Sequence, residues 1–240
     1  MRFAKSALGR APCDGYRRAV TPAPADDTAL EAAACARCGK PTALCVCADI
    51  VPLDNRVALL ILQHPQEQDR ELGTARLTAL QLKRAVLKIG LSWPSLSKAY
   101  GKEVDPKRWA VLYLGSVASA VLPREREVIA VDGKGAALPD QDRLLKGIEG
   151  VVLLDGTWSQ AKTLWWRNPW VLKCRRIVLN PKERSRYGKL RREPRREGLS
   201  TLEAAALTLA RLGNQPEIET GLLALFSRLL DRYRQASRAV

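Results

Sequence analysis

The sequence is poor in histidine, in long apolar runs and in acidic charge, and each shortage excludes something. His64 is the single histidine in 240 residues, so a metal site built on several imidazoles is excluded. No apolar run approaches about 18 residues, so no membrane-spanning helix is expected. The chain does not open on a charged segment followed by an apolar one, so no secretory signal is expected. No internal repeat is visible. Residues 1–34 are rich in Ala and Pro, with scattered charge and no clear period, and read as largely disordered. Asp14, Asp26, Asp27 and two Pro-Ala steps argue against a transit peptide there. The acidic deficit is large: 25 Asp and Glu against 40 Lys and Arg leave a formal charge of +15. A balance of that sign and size suggests a polyanionic partner.

The six cysteines stand at 13, 35, 38, 45, 47 and 174. Four are clustered as Cys35-x-x-Cys38 and Cys45-x-Cys47. Without an export signal, this pattern indicates metal binding in a reducing, cytoplasmic setting rather than a disulfide scaffold. Two closely spaced thiolate pairs can surround one tetrahedral Zn²⁺, and a four-cysteine set leaves no open coordination position, so such a zinc is structural. Gly39 permits the tight turn between ligands. Four reduced, buried thiols are the alternative. Cys174 reads as a core or near-core residue.

The rest of the chain fits one α/β domain with a small appendage. The expected order is a disordered segment 1–34, a zinc knuckle 35–50 and a catalytic domain 51–240. Strands are expected over 56–62, 109–114, 127–131, 151–154 and 176–179. A long helix is expected over 71–89, from the spacing of Leu77, Leu80, Arg84 and Leu87. Residues 92–107, with Pro94, Gly101 and Pro106, read as a loop region. Further helices are expected over 202–212 and 216–236. Strands alternating with helices imply a mostly parallel sheet with helices on both faces.

The most informative stretch is Val-Val-Leu-Leu-Asp-Gly-Thr-Trp, residues 151–158. A strand buried on both faces runs into Asp155, Gly156, Thr157 and Trp158, and in open α/β sheets ligands collect at the carboxyl ends of strands. A strand-to-helix turn capped by Asp155 or Thr157 fits the same residues. The basic excess concentrates in residues 182–198, with eight Lys or Arg against three Glu. Phosphate binding and a solvated loop are both open readings of it.

Asp-x-Thr-Trp at 155–158 resembles the signature of the DTW-domain family. Further motifs of that family follow the same order: the four-cysteine cluster, Gln63-His64-Pro65-x-Glu67 after a strand, Tyr113-Leu114-Gly115, and Leu199-Ser200-Thr201-x-Glu203-Ala204. Together they cover residues 35–212. The resemblance implies a SPOUT-like fold whose backbone is knotted around residues 150–212. It implies a tRNA-uridine aminocarboxypropyltransferase, which moves the 3-amino-3-carboxypropyl group of S-adenosylmethionine to N3 of a uridine in tRNA.

On that resemblance the co-substrate is expected at Leu114, Gly115, Asp155, Gly156, Thr157, Trp158, Leu199, Ser200 and Thr201. Asp155 is the candidate catalytic base, since uridine N3–H is weakly acidic and its proton must be removed or shared; orienting the co-substrate is its alternative role. Trp158 stacks on a base or packs in the core. Ser200 caps a helix or presents backbone to the co-substrate. His64 and Glu67 touch the substrate or hold the site together. Arg70, Arg76, Lys162, Arg191, Arg192, Arg195 and Arg196 are the candidate phosphate contacts. Transfer to rRNA, or transfer of the methyl group instead, is a competing function within the fold. A non-catalytic RNA-binding zinc protein competes from outside it.

Overall fold

The computed structural model describes residues 34–68, 70–112, 123, 125–188, 190 and 198–238. Six strands form one sheet: β1 (Ala58–Gln63), β2 (Ala85–Ile89), β3 (Trp109–Leu112), β4 (Val128–Val131), β5 (Gly150–Asp155) and β6 (Arg175–Leu179). Their order is β2-β1-β5-β3-β6-β4. All neighbours run parallel except β4, which pairs antiparallel with β6 at one edge. The exposed side of β4 is partly covered by the Gln141 amide, which donates to the Ala130 carbonyl at 2.9 Å and accepts from its N–H at 2.7 Å. A side chain thus takes the place of a further strand, one way of blunting a sheet edge.

Among the described residues six α-helices pack around the sheet: α1 (Ala75–Gln81), α2 (Leu96–Tyr100), α3 (Gln141–Lys146), α4 (Trp158–Arg167), α5 (Thr201–Gly213) and α6 (Pro216–Ala236). Strand side chains alternate between faces, and each face has its own core. Leu59, Ile61, Val151 and Leu153 pack with residues of α1, α5 and α6. Leu60, Leu62 and Val152 pack with Leu96, Ala99 and Leu164 on the other side. That two-sided burial explains the unbroken apolar runs in β1 and β5. Cys38, Leu44, Val46 and Ile50 join the first core, and Asp49 pairs with Arg228 of α6 at 2.8 Å. The cysteine-bearing segment is therefore packed on the same core as the sheet. Gly150 is dictated by Trp109, because a Cβ there would lie 2.4 Å from the buried indole.

Two expectations are corrected. Residues 71–89 do not form one helix: α1 ends at Gln81 and β2 begins at Ala85. Backbone bonds from Leu53 N–H to the Gln81 carbonyl and from Lys83 N–H to the Leu53 carbonyl pull the chain out of the helix. The Asn55 amide then clamps Arg84, donating to its carbonyl and accepting from its N–H. The helical spacing of 77, 80, 84 and 87 arises where a helix stripe runs into strand alternation. Residues 92–107 are not all loop either. Ser95 caps α2 and Gly101 closes it at φ 90°, a left-handed position that suits glycine. Among the described residues no helix is long and apolar enough to cross a membrane.

Candidate functional site

β1 and β5 lie side by side with Gln63 in register with Asp155. The polar residue that ends each apolar strand therefore meets its counterpart at the carboxyl edge of the sheet. Gln63 is buried and its amide donates to Asp155 Oδ2 at 2.7 Å. Asp155 Oδ1 accepts from the Thr201 hydroxyl at the start of α5. The His64 N–H donates to the Asp155 carbonyl at 2.9 Å. One carboxylate thus ties together three chain segments distant in sequence. Two donors, one on each oxygen, fix its direction.

Around Asp155 opens a cleft of about 120 Å³. Its walls are Leu153 to Gly156 from β5, Leu112 from β3, Glu67, Gly73 and Thr74 from the chain after β1, Tyr187, and Leu199 to Thr201 with Ala204. Its described lining holds two carboxylates, Glu67 and Asp155, and no Lys, Arg or His. In a chain of charge +15, that is a local reversal of sign. Glu67 is only 6% exposed, and its Oε1 has no hydrogen-bond partner. Arg70 Nε lies 3.8 Å from that oxygen, on a largely exposed side chain.

The α5 wall is held by a buried capping box. Ser200 Oγ accepts from Glu203 N–H at 3.1 Å, and Glu203 Oε2 accepts from Ser200 N–H at 2.8 Å. The same carboxylate accepts from the Ser185 hydroxyl and the Arg186 N–H, both at 2.7 Å. Leu202 N–H, another donor of the first helical turn, is taken by Thr74 Oγ1 at 3.2 Å. Tyr187 is buried against Phe226 and donates to the Leu72 carbonyl at 2.6 Å.

Of the residues expected at the co-substrate, Asp155, Gly156, Leu199, Ser200 and Thr201 come together here. Leu114 and Gly115 lie outside the described residues. Thr157 and Trp158 do not line the cleft. Thr157 caps α4 in a box with Gln160. Gly156 makes room for that box, since a Cβ there would lie 2.8 Å from Gln160 Cβ; its φ is not left-handed, so what it supplies is space. Trp158 is 39% exposed, with Lys162 Nζ 5.5 Å from its ring centroid. The core role falls instead to Trp170, which is buried and donates to the Trp93 carbonyl.

The expected RNA contacts are scattered. His64 Nδ1 accepts from Gln66 N–H and caps a short 3-10 helix, Pro65–Glu67. Glu67 faces the cleft, Arg70 is exposed and the Arg76 guanidinium packs beside Gly39. Arg191, Arg192, Arg195 and Arg196 lie outside the described residues. Sequence reasoning missed Thr74 and Tyr187, and gave Gln63 a place in a motif but no role. The available signal for Gln63 was a single amide at the end of an otherwise apolar strand.

At the cysteine cluster, the four Sγ atoms all lie within 4.8 Å of one another. Cys35 and Cys47, and Cys38 and Cys45, are 3.8 Å apart. A tetrahedral ion with thiolates about 2.3 Å away gives sulfur separations of about 3.8 Å, so the donor set fits one metal ion. Gly39 sits among the ligands at φ 72°. Backbone N–H groups of Cys38 and Arg37 draw the Cys35 thiol down to about 6, whereas burial pushes Cys38 and Cys47 up. A cation among them would favour the thiolate in all four. Cys174 is a core residue, as expected, its thiol pushed up to about 12 by burial.

Fold and cleft together define an α/β protein with a cleft at the carboxyl ends of parallel strands and a four-cysteine metal candidate. The DTW domain model matches residues 32–234, and the chain belongs to the DTW domain family. The chain is similar to tRNA-uridine aminocarboxypropyltransferase 2 of Macaca fascicularis, 29% identical over 193 residues, covering 79% of this chain and 59% of that protein. The Mus musculus protein of the same name is 30% identical over 196 residues, covering 79% and 59%. The Drosophila melanogaster one is 30% identical over 193 residues, covering 79% and 70%. The chain therefore spans less than two thirds of the length of the macaque and mouse proteins. No solved structure matches it.

Proposed function

We propose that the chain transfers the 3-amino-3-carboxypropyl group of S-adenosylmethionine to N3 of a uridine in tRNA. The observation that carries this reading is the acid-lined cleft at Asp155, within a chain whose family relatives are named for that reaction. The reaction breaks the bond between sulfur and the transferred carbon. The uracil N3 lone pair attacks that carbon, the bonding electrons stay on sulfur, and the N3 proton must leave. Asp155 is the group at hand to take or share that proton, held in one direction by Gln63 and Thr201. Leu114 and Gly115, with Leu199 to Thr201, are proposed to seat the co-substrate. Trp158 and Lys162 present an aromatic face and a cation outside the cleft, and with Arg191, Arg192, Arg195 and Arg196 they form the proposed RNA surface. The reading includes a SPOUT-like knotted backbone. That part of the reading rests on the family resemblance alone.

We also propose Zn²⁺ as the ion of the cysteine cluster, with a structural role because its four thiols fill the coordination shell. Elemental analysis should find about one zinc per chain; all four thiols reacting freely in metal-free protein would overturn this.

The decisive experiment is mass spectrometry of nucleosides from tRNA incubated with protein and S-adenosylmethionine. Aminocarboxypropyl-uridine is the expected product. A methylated base, or product only on rRNA, would replace the reading with its competitors, and no binding of S-adenosylmethionine would leave a non-catalytic RNA-binding protein. Asp155→Asn should keep RNA binding and lose about 10²–10⁴-fold in transfer rate.

A further inference from the structure

The two carboxylates of the cleft are not equivalent. Asp155 has a donor on each oxygen, Gln63 on one and Thr201 on the other. Glu67 is 94% removed from solvent, faces the same space, and leaves Oε1 without a donor. Arg70 does not serve it: a nitrogen at 3.8 Å is beyond hydrogen-bond reach, and its side chain is 63% exposed. A buried carboxylate oxygen without a donor is costly. In a cleft whose described lining has no cationic side chain, an occupant that carries an N–H donor would complete it.

We infer that Glu67 recognises the primary ammonium group of the cleft's occupant, and so selects the amine-bearing end of the co-substrate. The inference rests on reading the cleft as an S-adenosylmethionine site. That molecule carries two positive centres, and the distinction between them is chemical. A sulfonium has no N–H or O–H to donate, so it cannot satisfy Oε1. An ammonium has three N–H groups. Asp155, already held by Gln63 and Thr201, is left for the reacting end of the molecule. The assignment moves Glu67 from the RNA surface to the co-substrate. It also bears on product release. Once the aminocarboxypropyl group has passed to the base, the remaining thioether nucleoside has neither the sulfonium nor the ammonium. It keeps no cationic group for Glu67 to hold.

The test compares S-adenosylhomocysteine with its analogue lacking only the amino group, by calorimetric titration of the full chain. Neither ligand has a sulfonium, so the difference reads the ammonium alone. Wild type should bind the amine at least about tenfold more tightly, the scale of a buried charge-assisted contact. Glu67→Gln should bind the two ligands alike while keeping wild-type affinity for the desamino compound, which reports an intact cleft. Glu67→Asp, which keeps a carboxylate, should recover part of the preference. Equal binding by wild type, or a preference that survives Glu67→Gln, would overturn the assignment. Loss of both ligands by Glu67→Gln with no recovery in Glu67→Asp would make Glu67 a residue that holds the cleft together, and would also overturn it. Failure of wild type to bind S-adenosylmethionine or S-adenosylhomocysteine at all would instead remove the underlying reading of the site.

Discussion

α4 and α5 both leave the cleft through a capping box, and the two boxes have different consequences. In α4, Thr157 and Gln160 satisfy each other at an exposed turn, and the Gln160 amide reaches across to Gln66 Oε1 at 3.1 Å. In α5, Ser200 and Glu203 are buried, and Glu203 gathers the Ser185 hydroxyl and Arg186 N–H as well as its own cap. An amide can donate and accept, so Gln160 makes one further local tie. A carboxylate only accepts, and out of water it collects donors until its lone pairs are used. The same sequence device is therefore a helix start in one place. In the other it is an anchor that fixes residues 185–187 as a wall of the cleft.

The sharpest way to break this comparison is Glu203→Ala. It strips four donor contacts from a buried site and should cost on the order of 3 kcal/mol or more, read from the denaturant midpoint. Hydrogen exchange at the Arg186 amide should accelerate with it. A loss under about 1 kcal/mol would mean that Glu203 is only a cap. Ser200→Ala should come next, at about 1–2 kcal/mol, since it removes the buried acceptor of Glu203 N–H and leaves that carboxylate with one donor fewer. Thr157→Ala should have the smallest effect, below about 1 kcal/mol, because water can replace an exposed cap. A Thr157→Ala penalty equal to that of Ser200→Ala would show that burial does not separate the two boxes.

Legibility in the sequence followed the range of the interactions. The cysteine cluster was readable because its ligands stand close along the chain and converge through one glycine turn. β5 and α6 were readable because strand burial and the helical stripe repeat at short period. The break at residues 82–84 was not, because Leu53 and Asn55 impose it from thirty residues away. Glu203 stood only as a motif residue because its partners Ser185 and Arg186 reach it only through folding. Trp158 and Trp170 were indistinguishable by type and spacing, yet one is exposed beside Lys162 and the other is buried.

By itself, the sequence determined the apolar strands, the placement of Asp155 at the end of one, the pairing of thiols and the net charge, all of which depend on composition or near-neighbour spacing. Tertiary structure alone decided that β1 lies beside β5 and that α5 starts at Asp155. Those choices put Gln63 and Thr201 on Asp155 and leave Glu67 buried with an unfilled oxygen inside a basic protein. The reason is physical: hydrogen-bond partners and desolvation depend on which chain segments become neighbours, and that is set by packing both faces of the sheet together.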